Sequence, residues 1–158
     1  MIYVQLIVKQ LLKLQINFVT IKKLKLNKNV FFLGHTNPEK LTQIYASSDI
    51  LVSSSITLTS TGEKEGLGNV ILEALASGTP VIATRSGGIV DIIDGHSTGL
   101  LFEERNYKEL AEKIISVLSE KKLNEKLSRD GLKFVKNKYD WKKICKELGD
   151  LYEEIIKS

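Results

Sequence analysis

Two carboxylates flank a pair of glycines in one short stretch of this 158-residue sequence. Glu65 and Glu73 are eight positions apart, and Gly66 and Gly68 lie between them. A carboxylate only accepts hydrogen bonds, which suits the paired hydroxyl groups of a sugar. A glycine has no Cβ, so a ligand can come close to the backbone there. The stretch could therefore bind a hydroxyl-rich ligand; alternatively, both glutamates are solvated charges on the face of a helix.

A helix is predicted to position these groups. Gly78 lies where a helix C-terminus favours a left-handed residue, and Pro80 blocks continuation of the helix. The free N–H groups and the dipole of the first helical turn favour a phosphate or a sugar oxygen. Glu73 would lie about one and a half turns into this helix, and Glu65 at the edge of the preceding loop. The predicted apolar face has residues at helical spacing: Leu67, Val70, Ile71, Ala74 and Leu75.

Short apolar runs alternate with helical patterns along the chain. Strands are predicted over residues 30–33, 49–53, 81–84 and 99–102. A helix is predicted from Pro38 to about Ser47, and a short turn or helix from Gly87 to Ile93. This alternation predicts an α/β fold, a Rossmann-like doubly wound parallel sheet with helices on both faces. Ligands of such sheets bind beyond the carboxyl ends of the strands, where the loops that contain Gly34, Ser54, Glu65 and Gly87 would meet.

Three helices are predicted to close the chain, with Asp140 as the N-cap of the last. The single cysteine, Cys145, excludes an internal disulfide and is predicted to be a core thiol. The first two helices are predicted to face the core with Leu110, Ala111, Ile114, Ile115 and Leu118, and with Leu123, Leu127 and Phe134. The apolar stripe of the third is predicted to consist of Ile144, Leu148, Leu151, Tyr152 and Ile155.

Charge is distributed unevenly along the sequence. Residues 1–28 contain six lysines and no acidic residue, whereas the remainder carries a net charge of −2. This pattern argues against a nucleic-acid footprint over the folded surface. It divides the chain into a basic N-terminal segment, residues 1–28, and one domain, residues 29–158. The segment is either a helix packed on the domain or a basic amphipathic helix that contacts anionic membrane. No signal peptide or membrane span is predicted, which indicates a cytoplasmic protein, with peripheral membrane contact as the open alternative.

The stretch EGLGNVILEALASGTPVIAT, followed by Gly87 and Gly88, resembles the donor-binding half of a GT-B glycosyltransferase. The resemblance is to the large retaining family 4, also called glycosyl transferases group 1, and extends from about Asn29 to the C-terminus. It implies the C-terminal domain of an enzyme, of hexosyltransferase type, that transfers a glycosyl group from a nucleotide-diphosphate sugar to an acceptor. The donor (a UDP-, GDP- or ADP-sugar) is a substrate, and no cofactor is implied.

The resemblance also assigns roles to residues. Glu73 would bind the ribose hydroxyl groups, and Glu65 would meet the transferred sugar as the catalytic residue. His35 and Thr36 would contact the base. No metal is implied, and the sequence contains no Asp-x-Asp metal motif. The remaining donor-binding residues would use their backbone amides: Gly66, Leu67, Gly68, Asn69 and Val70.

Complete members of this family carry an N-terminal acceptor-binding domain of comparable size. Their donor domain also opens with a glycine turn and a basic pair that holds the pyrophosphate, but only 28 residues precede Asn29 here. Residues 2–8 and 16–21 would have to replace the central strands of that opening. The sequence therefore predicts a truncated donor domain, inactive alone, whose acceptor glycan or lipid binds to a missing domain or a second subunit.

Three other functions were weighed. A nucleotide-sugar epimerase has the same GT-B architecture and differs in its product. A non-catalytic remnant or scaffold would pair with another chain through an exposed apolar face. A nicotinamide-dependent oxidoreductase would have Gly-x-Gly-x-x-Gly directly after a strand, but Ile71 stands where the third glycine belongs and a long loop precedes Gly66.

Overall fold

Four short parallel strands form the centre of the domain. The computed structural model describes residues 4–6, 20–34, 36–57 and 68–157. In this part of the chain the strands lie in the order of the sequence: β1 (Val4–Leu6), β2 (Ile50–Ser53), β3 (Val81–Thr84) and β4 (Leu100–Phe102). Val4 pairs with Ile50, Leu51 with Val81, and Ile82 with Leu100. Parallel neighbours require crossover connections, which the helices provide.

Five α-helices and one short 3-10 helix accompany the strands in the described residues. They are α1 (Pro38–Ala46), α2 (Asn69–Ala76), the 3-10 helix (Gly87–Asp91), α3 (Tyr107–Ser119), α4 (Lys121–Lys138) and α5 (Trp141–Lys157). Residues 20–23 are also helical. Asn37 caps α1 by accepting the Lys40 N–H at 2.9 Å, and Gly78 ends the turn after α2 with φ +76°. Neither α2 nor any other helix of the described chain is long and apolar enough to cross a membrane.

The sheet separates two hydrophobic clusters, because successive side chains of a strand point to opposite faces. Leu51, Val81 and Ala83 contribute to one cluster, whereas Ile50, Val52 and Ile82 contribute to the other. The first cluster contains Tyr45 of α1 and the α2 residues Ile71, Ala74 and Leu75. The second contains Val117 of α3 and Leu127 of α4. Helices thus cover both faces of the parallel sheet, and the predicted fold class is confirmed.

The strand predicted at residues 30–33 is wrong. These residues are irregular, with Phe31 and Leu33 67% and 53% exposed. A strand needs a neighbouring strand for its backbone hydrogen bonds. β1 pairs with the edge of β2, where the N-terminal segment was expected to replace the strands missing between residues 30–33 and β2. Residues 4–6 therefore do fill part of the gap foreseen for the N-terminal segment, while residues 7–19 lie outside the described part of the chain.

The predicted core faces of the last helices need correction. In α3, Ile115 is 64% exposed and Ala111 is also exposed, whereas Val117 is buried. Leu110, Ile114 and Leu118 pack against the second cluster as predicted, together with Val117. The predicted stripe is therefore wrong only on its Ala111 and Ile115 side. In α4, Leu127 is buried, and Leu123 and Phe134 pack against the two clusters as predicted.

The last helix, α5, is an amphipathic helix whose apolar side is uncovered in the described chain. It begins after Asp140, whose Oδ1 accepts the Lys142 N–H at 2.8 Å, which confirms the predicted cap. None of its residues is buried, and Leu148, Leu151 and Tyr152 are 47%, 51% and 59% exposed. Cys145 is exposed, so the prediction of a core thiol is wrong. Its helical position was predicted correctly, but nothing in the described chain packs over it.

Candidate functional site

The start of α2 lies beside the 3-10 helix that follows β3. Gly68 is the N-cap of α2 and has φ +66° and ψ +59°, a left-handed conformation that favours glycine. A Cβ built on Gly68 would lie 3.1 Å from Ile71 Cδ1 and 3.8 Å from Ile89 Cγ1. The position therefore needs glycine for two reasons, its backbone conformation and the side chains against which it packs.

The first turn of α2 presents backbone amides. The cap residue, Gly68, has no side chain that could bond to them, and its carbonyl accepts the Ile71 N–H at 2.8 Å. Asn69 is exposed and Val70 is half-buried. The first turn contains no acidic residue that would oppose an anion. A helix start of this kind can hold a phosphate through its N–H groups and its dipole.

Glu73 lies one turn further along α2, and a buried tyrosine holds its carboxylate. Tyr45 Oη donates a hydrogen bond to Glu73 Oε2 at 3.0 Å. Glu73 is exposed, whereas Tyr45, in the last turn of α1, is only 1% exposed. Burial, followed by the hydrogen bond and the negative charge of Glu73, raises the pKa of Tyr45 far above its usual value. The phenol therefore stays protonated and acts as a donor.

Four of the predicted donor-binding residues, Gly68, Asn69, Val70 and Glu73, are thus brought together on the first one and a half turns of one helix. Thr36 is half-buried and directly precedes Asn37, the N-cap of α1. The other predicted site residues lie outside the described part of the chain: His35, Glu65, Gly66 and Leu67.

A second polar cluster anchors the loop that leads toward Glu65. Thr57 donates its N–H to Glu104 Oε2 at 3.0 Å and its hydroxyl to Glu104 Oε1 at 2.6 Å. The hydroxyl groups of Thr57 and Ser86 are 3.3 Å apart. Hydrogen bonds from Ser86 and Thr57 lower the pKa of Glu104 to about 2. Segments that follow β2, β3 and β4 are thereby joined at the carboxyl edge of the sheet.

Neither Tyr45 nor Glu104 was predicted from the sequence. A signal existed for Tyr45, since Leu41 and Tyr45 are four residues apart on α1, and a buried tyrosine hydroxyl needs a partner. The identity of that partner, 28 positions away, was not encoded locally. Nothing in the sequence around Glu104 distinguishes it from its neighbour Glu103.

Neither a metal centre nor a deep pocket coincides with the predicted site in the described residues. This part of the chain holds no group of three His, Cys, Asp or Glu residues that could hold a metal ion. A cleft of about 170 Å³ lies on the α3 side of the carboxyl edge, and Thr84, Phe102 and Arg105 are among its lining residues. None of the predicted donor-binding residues lines that cleft.

A parallel sheet with helices on both faces, and with a glycine-capped helix start at its carboxyl edge, defines an α/β domain of the Rossmann-like type. Residues 18–134 match the family described as glycosyl transferases group 1, and the chain belongs to this family. An uncharacterized glycosyltransferase of Methanocaldococcus jannaschii is 33% identical over 131 residues, which are 83% of this chain and 32% of that protein. The chain spans a quarter to a third of the length of the first three curated relatives that it matches.

Solved structures have the same fold. The C-terminal domain of a glycosyl transferase group 1 family protein (LpcC) from Francisella tularensis is 30% identical, with a TM-score of 0.71; the match covers 83% of this chain and 64% of that one. Anabaena HepE, crystallised in complex with UDP-glucose, has a TM-score of 0.76 at 23% identity, over 89% of this chain and 36% of HepE. The match to HepE concerns the fold alone. The predicted resemblance to a GT-B C-terminal domain is therefore confirmed.

Proposed function

We propose that this domain binds a nucleotide-diphosphate sugar and serves as the donor half of a retaining glycosyltransferase of hexosyltransferase type. The observation that carries the proposal is the pairing of two features on α2. A helix start at Gly68 without a side-chain cap offers amides to phosphate, and a held carboxylate at Glu73 offers an acceptor to hydroxyl groups. Glu73 is four residues after Asn69, which places it about 6 Å along the helix axis. That spacing is comparable to the distance between the α-phosphate and the ribose hydroxyl groups of one nucleotide.

The donor would lie across the carboxyl edge of the sheet. Its diphosphate would contact the amides at the start of α2, from Gly66 to Val70, and its ribose would contact Glu73. The base would lie near His35 and Thr36. Glu65 would face the transferred sugar as the catalytic residue, next to the loop that Thr57 and Glu104 anchor.

The chemistry would depend on the same helix start. As the bond between the sugar and the diphosphate breaks, negative charge builds on the leaving phosphate. Amides that are already oriented stabilise such charge more in the transition state than in the bound donor, and this difference lowers the barrier. Transfer with retention at the anomeric carbon then places the sugar on the acceptor.

The acceptor, a glycan or a lipid, would bind to a separate domain or subunit, and the isolated chain would not catalyse transfer. The exposed apolar side of α5, with Leu148, Leu151 and Tyr152, supports this part of the proposal. Exposed apolar area of this kind marks an interaction surface. If the acceptor is a lipid, the exposed lysines between residues 20 and 28 of the basic segment would offer peripheral membrane contact to a cytoplasmic enzyme.

A thermal-unfolding panel with UDP-, GDP- and ADP-sugars tests donor binding. A ligand at a hundred times its dissociation constant adds about 2.7 kcal/mol to the free energy of unfolding. We expect the sugar nucleotide of one particular base to raise the melting temperature of the wild-type chain but not that of the Glu73→Ala variant. A cooperative unfolding transition that no donor shifts would contradict the proposal and favour a scaffold that pairs with another chain.

Analysis of the reaction products separates the proposal from the epimerase alternative. Isomerised nucleotide sugar, in place of free nucleotide and glycoside, would identify an epimerase.

A further inference from the structure

Tyr45 is fixed at both its backbone and its hydroxyl group. Its carbonyl oxygen accepts a hydrogen bond of 2.6 Å from Thr79 Oγ1 and one of 2.9 Å from the Ser48 N–H. Its ring lies in the cluster between the sheet, α1 and α2, and only 1% of the residue is exposed. Thr79 is itself 2% exposed. The position of the Tyr45 hydroxyl group is therefore set by the folded core.

Glu73 is a side chain that would otherwise be mobile. A glutamate on an exposed helix face loses considerable rotamer freedom when it is held in one orientation, and a ligand that has to impose this order binds more weakly. The hydrogen bond from Tyr45 occupies Oε2 and orders the carboxylate before any ligand arrives. Because the donor is a buried phenol rather than a second charged group, the negative charge of Glu73 is not neutralised.

We propose that Tyr45 is a positioning residue that holds Glu73 Oε2 so that Oε1 accepts a ribose hydroxyl group. The hydrogen bond between Oε1 and that hydroxyl group makes the domain prefer ribonucleotides to deoxyribonucleotides. The inference rests on the proposed role of Glu73 as the ribose-binding carboxylate. It adds a residue from α1, 28 positions before Glu73 in the chain, to the part of the site that lies on α2.

The substitution Tyr45→Phe tests the proposal, because it removes one oxygen and keeps the ring that packs in the core. Titration calorimetry on the full 158-residue chain would compare UDP, GDP and ADP with their 2′-deoxy and 3′-deoxy forms. For the base that binds to the wild type, we expect Tyr45→Phe to weaken the ribonucleotide about five- to tenfold, since a hydrogen bond to a charged group has been lost. Affinity for the deoxynucleotide that lacks the contacted hydroxyl should change less than about twofold.

Two controls separate positioning from a general structural effect. Tyr107→Phe makes the same chemical change at a residue of α3 that is 74% exposed, and should alter neither affinity. In the background of Glu73→Ala, where the carboxylate is absent, Tyr45→Phe should have no further effect on binding. The melting temperature of each variant checks that the compared proteins are folded.

The possible outcomes have different meanings. Equal weakening of ribonucleotide and deoxynucleotide by Tyr45→Phe would overturn the positioning role, and so would an unchanged preference for ribose. In both of these cases the proposed donor-binding function would stand, because the wild type binds nucleotide. If the wild type binds none of the three nucleoside diphosphates at millimolar concentration, the proposed function is overturned, and this inference with it.

Discussion

Thr57 and Glu104 form a two-point contact at the carboxyl edge of the sheet, with the N–H and the hydroxyl group of Thr57 donating to the two carboxylate oxygens of Glu104 at 3.0 and 2.6 Å. The residues are 47 positions apart and follow β2 and β4. Thr57 is the last described residue before the loop that leads to Glu65. One carboxylate outside the predicted site thus holds the segment after β2 at Thr57.

Acid should weaken this contact in a defined range of pH. The pKa of Glu104 is lowered from 4.5 to about 2. As the pH falls, the Glu104 carboxylate therefore becomes protonated at a higher pH in the unfolded chain than in the folded domain. The contribution of Glu104 to stability is therefore present above about pH 4.5 and is lost as the pH falls toward 2. We expect the difference in melting temperature between the wild type and Glu104→Gln to be largest near pH 6 and to shrink by pH 3.

Glu103→Gln is the matched control for that experiment. Glu103 is the adjacent carboxylate, 63% of its side chain is exposed, and it pairs at the surface with Arg85. The Glu103→Gln variant should differ little from the wild type in melting temperature, and this difference should depend little on pH. A difference for Glu104→Gln that stayed constant from pH 6 to pH 3 would show that the carboxylate does not act through its charge.

A methyl group at Gly68 should destabilise the domain. Gly68→Ala forces a left-handed conformation on a residue with a Cβ, and that Cβ would lie 3.1 Å from Ile71 Cδ1. The backbone effect alone costs roughly 1–2 kcal/mol in the free energy of unfolding. Urea denaturation measures it directly, because the linear extrapolation gives the free energy of unfolding in water.

Gly149→Ala, in α5, makes the same change where it should be favourable. No atom lies within 4 Å of a Cβ at Gly149, and alanine is more stable than glycine inside a helix by roughly 0.5–1 kcal/mol. The two glycines should therefore respond with opposite signs. If Gly68→Ala were as stable as the wild type, the left-handed cap and the close packing at the start of α2 would both be wrong.

The apolar side of α5 should cause self-association. Leu151 is 51% exposed, next to Tyr152 at 59%. Sedimentation velocity over a series of rising concentrations should find the wild-type chain partly dimeric or larger, because exposed apolar patches mark interaction surfaces. Leu151→Lys should shift it to monomer and change the melting temperature little. Ile115→Lys, at a 64% exposed position on α3, is the control and should associate like the wild type. A monomeric wild type would contradict this expectation.

Local signals in the sequence predicted most of the fold. Gly78 and Asp140 were placed correctly because a left-handed turn and a helix cap depend on a few neighbouring residues. β3 was predicted at its observed bounds, since a β-branched run between Pro80 and a glycine turn has few alternatives. The start of the 3-10 helix at Gly87 followed from the same turn signal.

The errors concern features that depend on distant partners. Residues 30–33 have the composition of a strand, but they are irregular and belong to none of the four strands of the described sheet. Cys145 lies on α5 as predicted, but no element of the described chain covers it. Tyr45 and Glu104 bond to residues 28 and 47 positions away, so periodicity and local motifs could not identify these contacts.

Proton–nitrogen correlation NMR tests most directly whether a nucleotide-diphosphate sugar binds at the start of α2. UDP-, GDP- and ADP-glucose would each be added to the labelled chain, with inorganic phosphate as the control for a simple anion effect. We expect one donor to shift the amide signals of Gly68, Asn69 and Val70 most strongly, together with those of residues 65–67, and Glu73→Ala to weaken the response at least about tenfold. Shifts confined to other surfaces, or none with any donor, would contradict the account.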